Sequence, residues 1–214
     1  MNKFLSIFLL SVALVFAGCH PEPLHPDYAS TGKHRGHEYV DLGLSVRWAT
    51  CNIGAETIVE YGDYFAWGET EPKEIYDSTT YEHYNPDPLL ANEDRLMNIS
   101  RQYDAAAMNW GGMWRMPTDG ELLELRNFCK WSVVLLDGVK GYKVVGPNGN
   151  AIFLPAAGCM RGSELVYDTD NLYYWSATSY QNTNIAYSLF GVNFGSLLYL
   201  DMRYYGLSVR PVCP

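Results

Sequence analysis

The periodicity of the chain changes once, near residue 130, and that change restricts the fold class more than any other feature. Before it, Thr118 and Glu121 stand three residues apart behind Pro117, the spacing of a capping box. Leu122, Leu125 and Cys129 then recur at i, i+3 and i+7. The spacing predicts one helix that starts at Thr118, ends near Lys130 and turns this stripe inward. After it the period is two. Residues 142–145 and 151–154 flank Gly146-Pro147-Asn148-Gly149, whose Asn-Gly pair accepts the positive φ of a hairpin turn. Residues 173–178, 186–194 and 203–212 continue as strands. In the last, Tyr205, Leu207 and Val209 alternate with Gly206, Ser208 and Arg210, which predicts one buried and one polar face. One or two helices followed by many antiparallel strands is an α+β pattern.

Residues 1–18 are set aside from this fold. One charge, Lys3, precedes an uncharged apolar run at 5–17 that is too short to span a bilayer and has the length of a signal h-region. The run ends in Phe16-Ala17-Gly18-Cys19, which resembles the bacterial lipobox, with Phe16 where Leu is commonest. The simpler alternative is a secretory signal cut near Ala17. Under the lipobox reading the mature chain is 19–214 and Cys19 carries the anchor, since acyl chains contribute about 0.8 kcal/mol per buried CH₂. Removing Lys3 from 15 basic residues against 24 acidic ones leaves a mature net charge of −10. That balance argues against nucleic acid or anionic lipid as the partner.

Residues 19–36 comprise the lipidated Cys19 and a Pro-rich polar stretch, HPEPLHPDYASTGKHRG, read as a flexible tether. His20, His25, His34 and His37 invite a metal-site reading, but nothing rigid fixes them and the cysteines are distant, so no metal is expected. Residues 37–214 suit a single domain. Within it, 38–42 and 46–50 read as short strands, 61–67 as an aromatic run, and 69–98 as a polar loop long enough for binding or insertion.

A series of motifs runs through this domain. His37-Glu38-Tyr39-Val40-Asp41-Leu42-Gly43-Leu44, Trp48-Ala49-Thr50-Cys51-Asn52-Ile53-Gly54-Ala55 and Gly62-Asp63-Tyr64-Phe65-Ala66-Trp67-Gly68-Glu69 come first. Asp104-Ala105-Ala106, Trp110-Gly111-Gly112, Trp114-Arg115-Met116-Pro117-Thr118, Gly146-Pro147-Asn148-Gly149-Asn150 and Leu154-Pro155-Ala156-Ala157-Gly158 follow. Tyr173-Tyr174-Trp175-Ser176 and Gly206-Leu207-Ser208-Val209-Arg210-Pro211-Val212 close the series. It resembles the Fibrobacter succinogenes major paralogous domain, a module repeated in surface and secreted proteins of Bacteroidetes and Fibrobacteres. The resemblance covers nearly all of 37–212. It implies a fold related to the C-type lectin-like and formylglycine-generating-enzyme group, with long loops over small twisted antiparallel sheets, and it implies no activity.

Specific chemistries find little footing. Calcium-dependent lectins converge several oxygens on the cation, whereas Trp175-Ser176-Ala177-Thr178 brings no carboxylate or amide and Glu71-Pro72-Lys73 sits elsewhere in the chain. A formylglycine-generating site needs a redox-active cysteine pair, and Cys51, Cys129, Cys159 and Cys213 are far apart in sequence. In an oxidising compartment these four are disulfide candidates with three possible pairings; the resemblance implies Cys129 or Cys159 with Cys213. All five histidines lie at or before His83, so a nucleophile in the later part has no His base. The carboxylate pairs Glu121 with Glu124 and Asp168 with Asp170 fit a helix start and a solvated loop better than glycosidase chemistry. No catalytic residue and no cofactor is expected.

Six Trp and 17 Tyr remain. Trp48, Trp67, Trp110, Trp114 and Trp175 sit inside the motifs and are expected in the core. Tyr76, Tyr81, Tyr84, Tyr173, Tyr180 and Tyr204 are expected to contact a glycan or protein ligand, because tyrosine rings stack on sugar faces and anchor interfaces. Arg115 and Arg210 are expected to pair with Asp104, Asp63 or Glu69. The expectation is a non-enzymatic, lipid-anchored protein of the cell envelope, at the outer membrane. A structural subunit of a surface appendage and a formylglycine-generating-type enzyme are the rival readings.

Overall fold

The computed structural model describes residues 25–84, 99–167, 171–181, 184–192 and 195–214. The signal segment, Cys19, His20, positions 85–98 of the long loop and the pair Asp168 and Asp170 lie outside the described residues. Strands β1 (Gly32–His34), β2 (His37–Val40), β3 (Arg47–Ala49) and β4 (Tyr64–Phe65) precede helices α1 (Ala105–Trp110) and α2 (Asp119–Phe128). Then come β5 (Lys130–Leu136), β6 (Val139–Val145), β7 (Ala151–Pro155), β8 (Cys159–Arg161) and β9 (Glu164–Val166). The chain ends with β10 (Asn171–Ser179), β11 (Ile185–Val192), β12 (Gly195–Met202), β13 (Leu207–Ser208) and β14 (Val212–Cys213). The described strands form small sheets ordered β1-β2-β3-β14, β12-β11-β10-β13-β4, β5-β6-β7 and β8-β9. Their pairings are antiparallel except where β13 lies parallel to β10 at Ser208 and Tyr174, in keeping with the α+β pattern.

The local signals explain the helices. Thr118 Oγ1 accepts from the Glu121 N–H at 3.2 Å, and Glu121 Oε2 accepts from the Thr118 N–H at 2.8 Å, closing the capping box. Arg115 clamps the same carboxylate through both guanidinium ends. Leu122 and Leu125 are buried as the stripe requires. The helix stops at Phe128 because Lys130 already pairs with Val145 in β5–β6. α1 is capped by Asp104, whose carboxylate accepts from Ala107 N at 2.9 Å and also from Met116 N at 2.9 Å, tying the helix to the segment that leads into α2.

Two segments depart from the sequence expectation. Residues 25–36, expected to be tether, belong to the folded body. Pro26–Tyr28 form a 3-10 turn, and β1 pairs with β2 across Arg35 and Gly36, both at positive φ (51° and 88°), a two-residue turn of the type that hairpins favour. The Tyr28 ring meets Phe153 edge-on at 6.0 Å, so this stretch has apolar surface to bury despite its prolines. The second departure is 203–212, expected as one strand with a polar face. It splits into β13 and β14, which belong to different sheets, and the residues expected on the polar face are buried: Ser208 is 0% and Arg210 1% exposed.

Arg210 pairs with none of Asp104, Asp63 and Glu69. Its Nε donates to Asn52 Oδ1 at 2.8 Å, Nη1 to the carbonyls of Ala49 and Thr50 at 3.0 and 2.5 Å, and Nη2 to the carbonyl of Phe153 at 3.0 Å. Arg115 pairs with Glu121, and Glu69 with Lys73 at 2.7 Å. The apolar interior has two main parts. One gathers Val40, Leu42, Trp48, Leu122, Leu125, Tyr142, Val144 and Tyr174. The other gathers Phe65, Trp67, Ala105, Met116, Trp175, Leu207 and Val209. Trp48, Trp67, Trp114 and Trp175 are buried, whereas Trp110 is half-buried under a stacked His37 at 3.8 Å.

Arg210→Met leaves three carbonyls and the Asn52 amide oxygen without this donor, so it is expected to lower stability by roughly 3 kcal/mol in urea titration. Burial alone would raise the Glu121 carboxyl, but the Arg115 guanidinium and the Thr118 N–H outweigh it and hold it below its ordinary value. The unfolded chain therefore binds the extra proton as pH falls. The stability advantage over Glu121→Gln is expected in full above the ordinary glutamate range and lost as pH drops through the folded value, read by thermal melts at stepped pH.

Candidate functional site

The β8–β9 hairpin is held by backbone on two sides. Met160 exchanges hydrogen bonds with Gly206 at 2.8 and 3.0 Å, and Gly162 with Tyr76 at 2.9 and 2.8 Å. Gly206 has no room for a side chain, since a Cβ there would meet the Tyr76 ring at 2.7 Å. This docking presents Arg161 between two rings, with its guanidinium carbon 5.1 Å from the Tyr167 centroid and 4.6 Å from that of Tyr205.

Aromatic contacts run outward from Arg161 in both directions. Tyr205 meets Tyr204 at 5.0 Å, and Tyr204 meets Tyr84 at 6.4 Å. On the other side Tyr167 meets Tyr173 at 6.2 Å, Tyr173 meets Phe190 at 5.0 Å, and Phe190 meets Tyr199 at 5.6 Å. The sheet register explains this half: Tyr173 lies across from Phe190, and Ser188, two residues earlier on the same face, lies across from Tyr199. Tyr84, Tyr167 and Tyr199 are 41%, 49% and 51% exposed, enough to offer ring faces to a ligand.

Beneath the track lie Cys159, Ser188 and Asp201, all buried. Asp201 accepts from the Ser188 hydroxyl at 2.5 Å. Burial raises its carboxyl above the ordinary range, against the pull of Ser188 and of Arg161. Burial likewise pushes the Cys159 thiol up to about 11, with Arg161 opposing. The Arg161 Nε is buried without a hydrogen-bond partner. Rings with a guanidinium between them suit stacking and hydrogen bonding to a ligand.

Of the tyrosines chosen from sequence, Tyr84, Tyr173 and Tyr204 come together here, Tyr173 as a buried inner wall. Tyr76 and Tyr81 do not face solvent, being 2% and 5% exposed. The Tyr76 hydroxyl donates to the Tyr64 carbonyl at 2.6 Å and accepts from Lys73 N, and that of Tyr81 donates to the Trp67 carbonyl at 2.7 Å. Their rings are buried, as that of Tyr173 is, and their hydroxyls are bonded to backbone carbonyls. Tyr180 finds Tyr187 as its ring partner at 5.7 Å. Sequence reading missed Arg161, Tyr167, Phe190 and Tyr199. For Tyr199 the usable signal was the apolar run at 197–200, which goes unread unless β12 is recognised as a strand.

None of Cys51, Cys129, Cys159 and Cys213 is paired in the structure. Cys129 packs against the first core and Cys159 lies in the second. Cys213 sits with Ala49 and Trp114, and Cys51 lies beside Thr50. The pairing of Cys129 or Cys159 with Cys213 is therefore not formed, each thiol being packed in its own surroundings. Among the described residues no group of three or more His, Cys, Asp and Glu side chains is placed to hold a metal ion. His34 instead accepts from Met113 N, and His25 pairs with Asp137. Comparison of the chain with protein-family models, with curated proteins and with solved structures finds no match.

Burial pushes Cys129 as well up to about 11, with Glu124 adding to the shift. At neutral pH both Cys129 and Cys159 are expected to react with a thiol reagent about a hundredfold more slowly than a thiol of ordinary pKa. All four are expected to react alike once the protein is unfolded without reductant, read by mass spectrometry of the alkylated peptides.

Proposed function

We propose that the chain is a lipid-anchored cell-envelope protein at the outer membrane, held through Cys19. Its domain, of the Fibrobacter succinogenes major paralogous type with a C-type lectin-like fold, binds a glycan or protein ligand. The observation that carries the binding half is the aromatic track centred on Arg161, with Tyr84, Tyr167 and Tyr199 turned to solvent. Tyrosine rings offer flat apolar faces at small entropic cost, and the guanidinium adds directed donors between them. The anchoring half is supported by Phe16-Ala17-Gly18-Cys19 behind an uncharged apolar run.

The appendage-subunit reading draws on a different observation: β12 is the outer strand of its sheet and exposes Leu197 and Tyr199, a form open to strand addition. The formylglycine-generating reading has weaker support, because the four thiols are distributed among separate surroundings.

Presented to an array of glycans and envelope or host proteins, the full mature protein is expected to bind a restricted set. Tyr199→Ala combined with Arg161→Met is expected to weaken that binding about tenfold or more while leaving the melting temperature nearly unchanged. An unaltered binding profile in the double variant would sink the assignment of the track. Fatty-acid labelling is expected to require Cys19 and to vanish in Cys19→Ala.

A further inference from the structure

On the lipid-anchor reading above, the short length of chain after Cys19 limits which part of the domain can meet the bilayer. Six residues, from Cys19 through Leu24, precede His25. An extended chain advances at most about 3.6 Å per residue, so His25 lies within roughly 20 Å of the acylated position, whatever path those residues take. His25 is itself clamped: its Nε2 lies 3.0 Å from Asp137 Oδ2. Asp137, with Gly138, makes the two-residue turn between β5 and β6, both at positive φ. Two residues on, Asp27 pairs with Lys143 at 2.9 Å, and the Lys143 ammonium stands 5.4 Å over the Tyr28 ring. The described residues therefore begin at the tip of the β5–β6 hairpin.

Strand alternation decides what else is at that tip. Val134, Leu136, Val139 and Val145 turn inward to the cluster of Tyr28, Ala151 and Phe153. Val133 and Leu135 point the other way, at 39% and 72% exposure, and Leu135 is the most exposed large hydrophobic side chain among the described residues. An isolated exposed leucine is ordinary on a soluble surface. Here it lies two residues from the contact that fixes the end of the short tether, on the outer strand of its sheet. β5 and β6 carry Lys130, Lys140 and Lys143; Lys143 is turned to Asp27 and Tyr28 on the opposite face, and Asp137 stands in the turn against His25. Lys140 is the cross-strand partner of Leu135. An apolar tip with a lysine beside it suits the boundary between acyl chains and headgroups.

The geometry points to the β5–β6 hairpin as the bilayer-facing edge of the domain, with Leu135 and Val133 entering the interface of the membrane that holds the acyl chains of Cys19. The occupant is the lipid surface, and the contact is formed by tethering rather than by attraction of the whole acidic domain to anionic lipid.

The test uses the full chain with its signal segment, expressed in a lipoprotein-processing bacterium. A benzophenone amino acid replaces Leu135 in one variant and the exposed Leu165 on β9 in another. After irradiation, lipid adducts are expected several-fold more often at position 135 than at 165. Equal yields at the two positions, or a protein adduct dominating at 135, would overturn the inference. Fatty-acid labelling of the same samples separates the two levels. A chain that carries the label without a lipid adduct at 135 refutes the docking edge alone, whereas a chain without the label refutes the anchor and the inference with it.

Discussion

The buried guanidinium of Arg210 is the interaction on which the other parts of this structure depend. Taking a cation out of water costs several kcal/mol, and only a full set of well-placed acceptors offsets that. Here the acceptors come from the end of β3 (Ala49), the residues just after it (Thr50 and Asn52) and β7 (Phe153). Asn52 in turn donates to the Tyr174 hydroxyl on β10, and that hydroxyl donates to the carbonyl of Pro155. One side chain thus fixes the four-stranded, five-stranded and three-stranded sheets against each other. A carboxylate partner would have fixed it to one element only. Several backbone carbonyls can be shared among elements, which explains why the ion pairs expected from sequence are absent at Arg210.

The candidate binding face inherits its geometry from that junction. Tyr204, Tyr205 and Gly206 immediately precede β13, whose place between β10 and β4 is set by the same C-terminal run that ends in Arg210 and β14. Gly206 lets the Tyr76 ring and Met160 approach its backbone, and that approach positions Arg161 beside Tyr205. Buried tyrosines and exposed ones divide the labour. Tyr76 and Tyr81 spend their hydroxyls on backbone carbonyls that hold the long loop down, while Tyr84, Tyr167 and Tyr199 keep their faces in solvent. The polar layer under the track is sparse, a hydroxyl, a thiol and a carboxylate raised by burial, and Arg161 opposes the shift of both the thiol and the carboxylate.

The N-terminal segment shows how a polar composition can conceal a structural role. Its prolines and charges read as solvent-loving, yet Tyr28 fills a cluster on the three-stranded sheet, and Asp27 and His25 find partners on β6 and in the β5–β6 turn. Here one buried aromatic ring, flanked by the Asp27–Lys143 ion pair and the His25–Asp137 contact, docks it. The effect is to tie residues 25–28 to the three-stranded sheet.

By itself the sequence determined what local rules decide. The capping box at Thr118 and Glu121, the Leu122 and Leu125 stripe, the Asn148-Gly149 turn and the tryptophan core each rest on contacts or dihedral preferences within a few residues, or on plain apolar burial. The same kind of local rule could have found β5 through Asp137-Gly138, a turn pair at positive φ. Only the tertiary structure decided which tyrosines are bracing and which are exposed, that Arg210 is solvated by carbonyls, and that ring contacts link Tyr84, Tyr205, Arg161 and Tyr199 in one series. Those outcomes depend on residues that lie far apart in the chain and meet across sheets. A tyrosine in a polar loop has the same local surroundings whether its ring ends under Gly206 or in water, so burial had to be settled by packing.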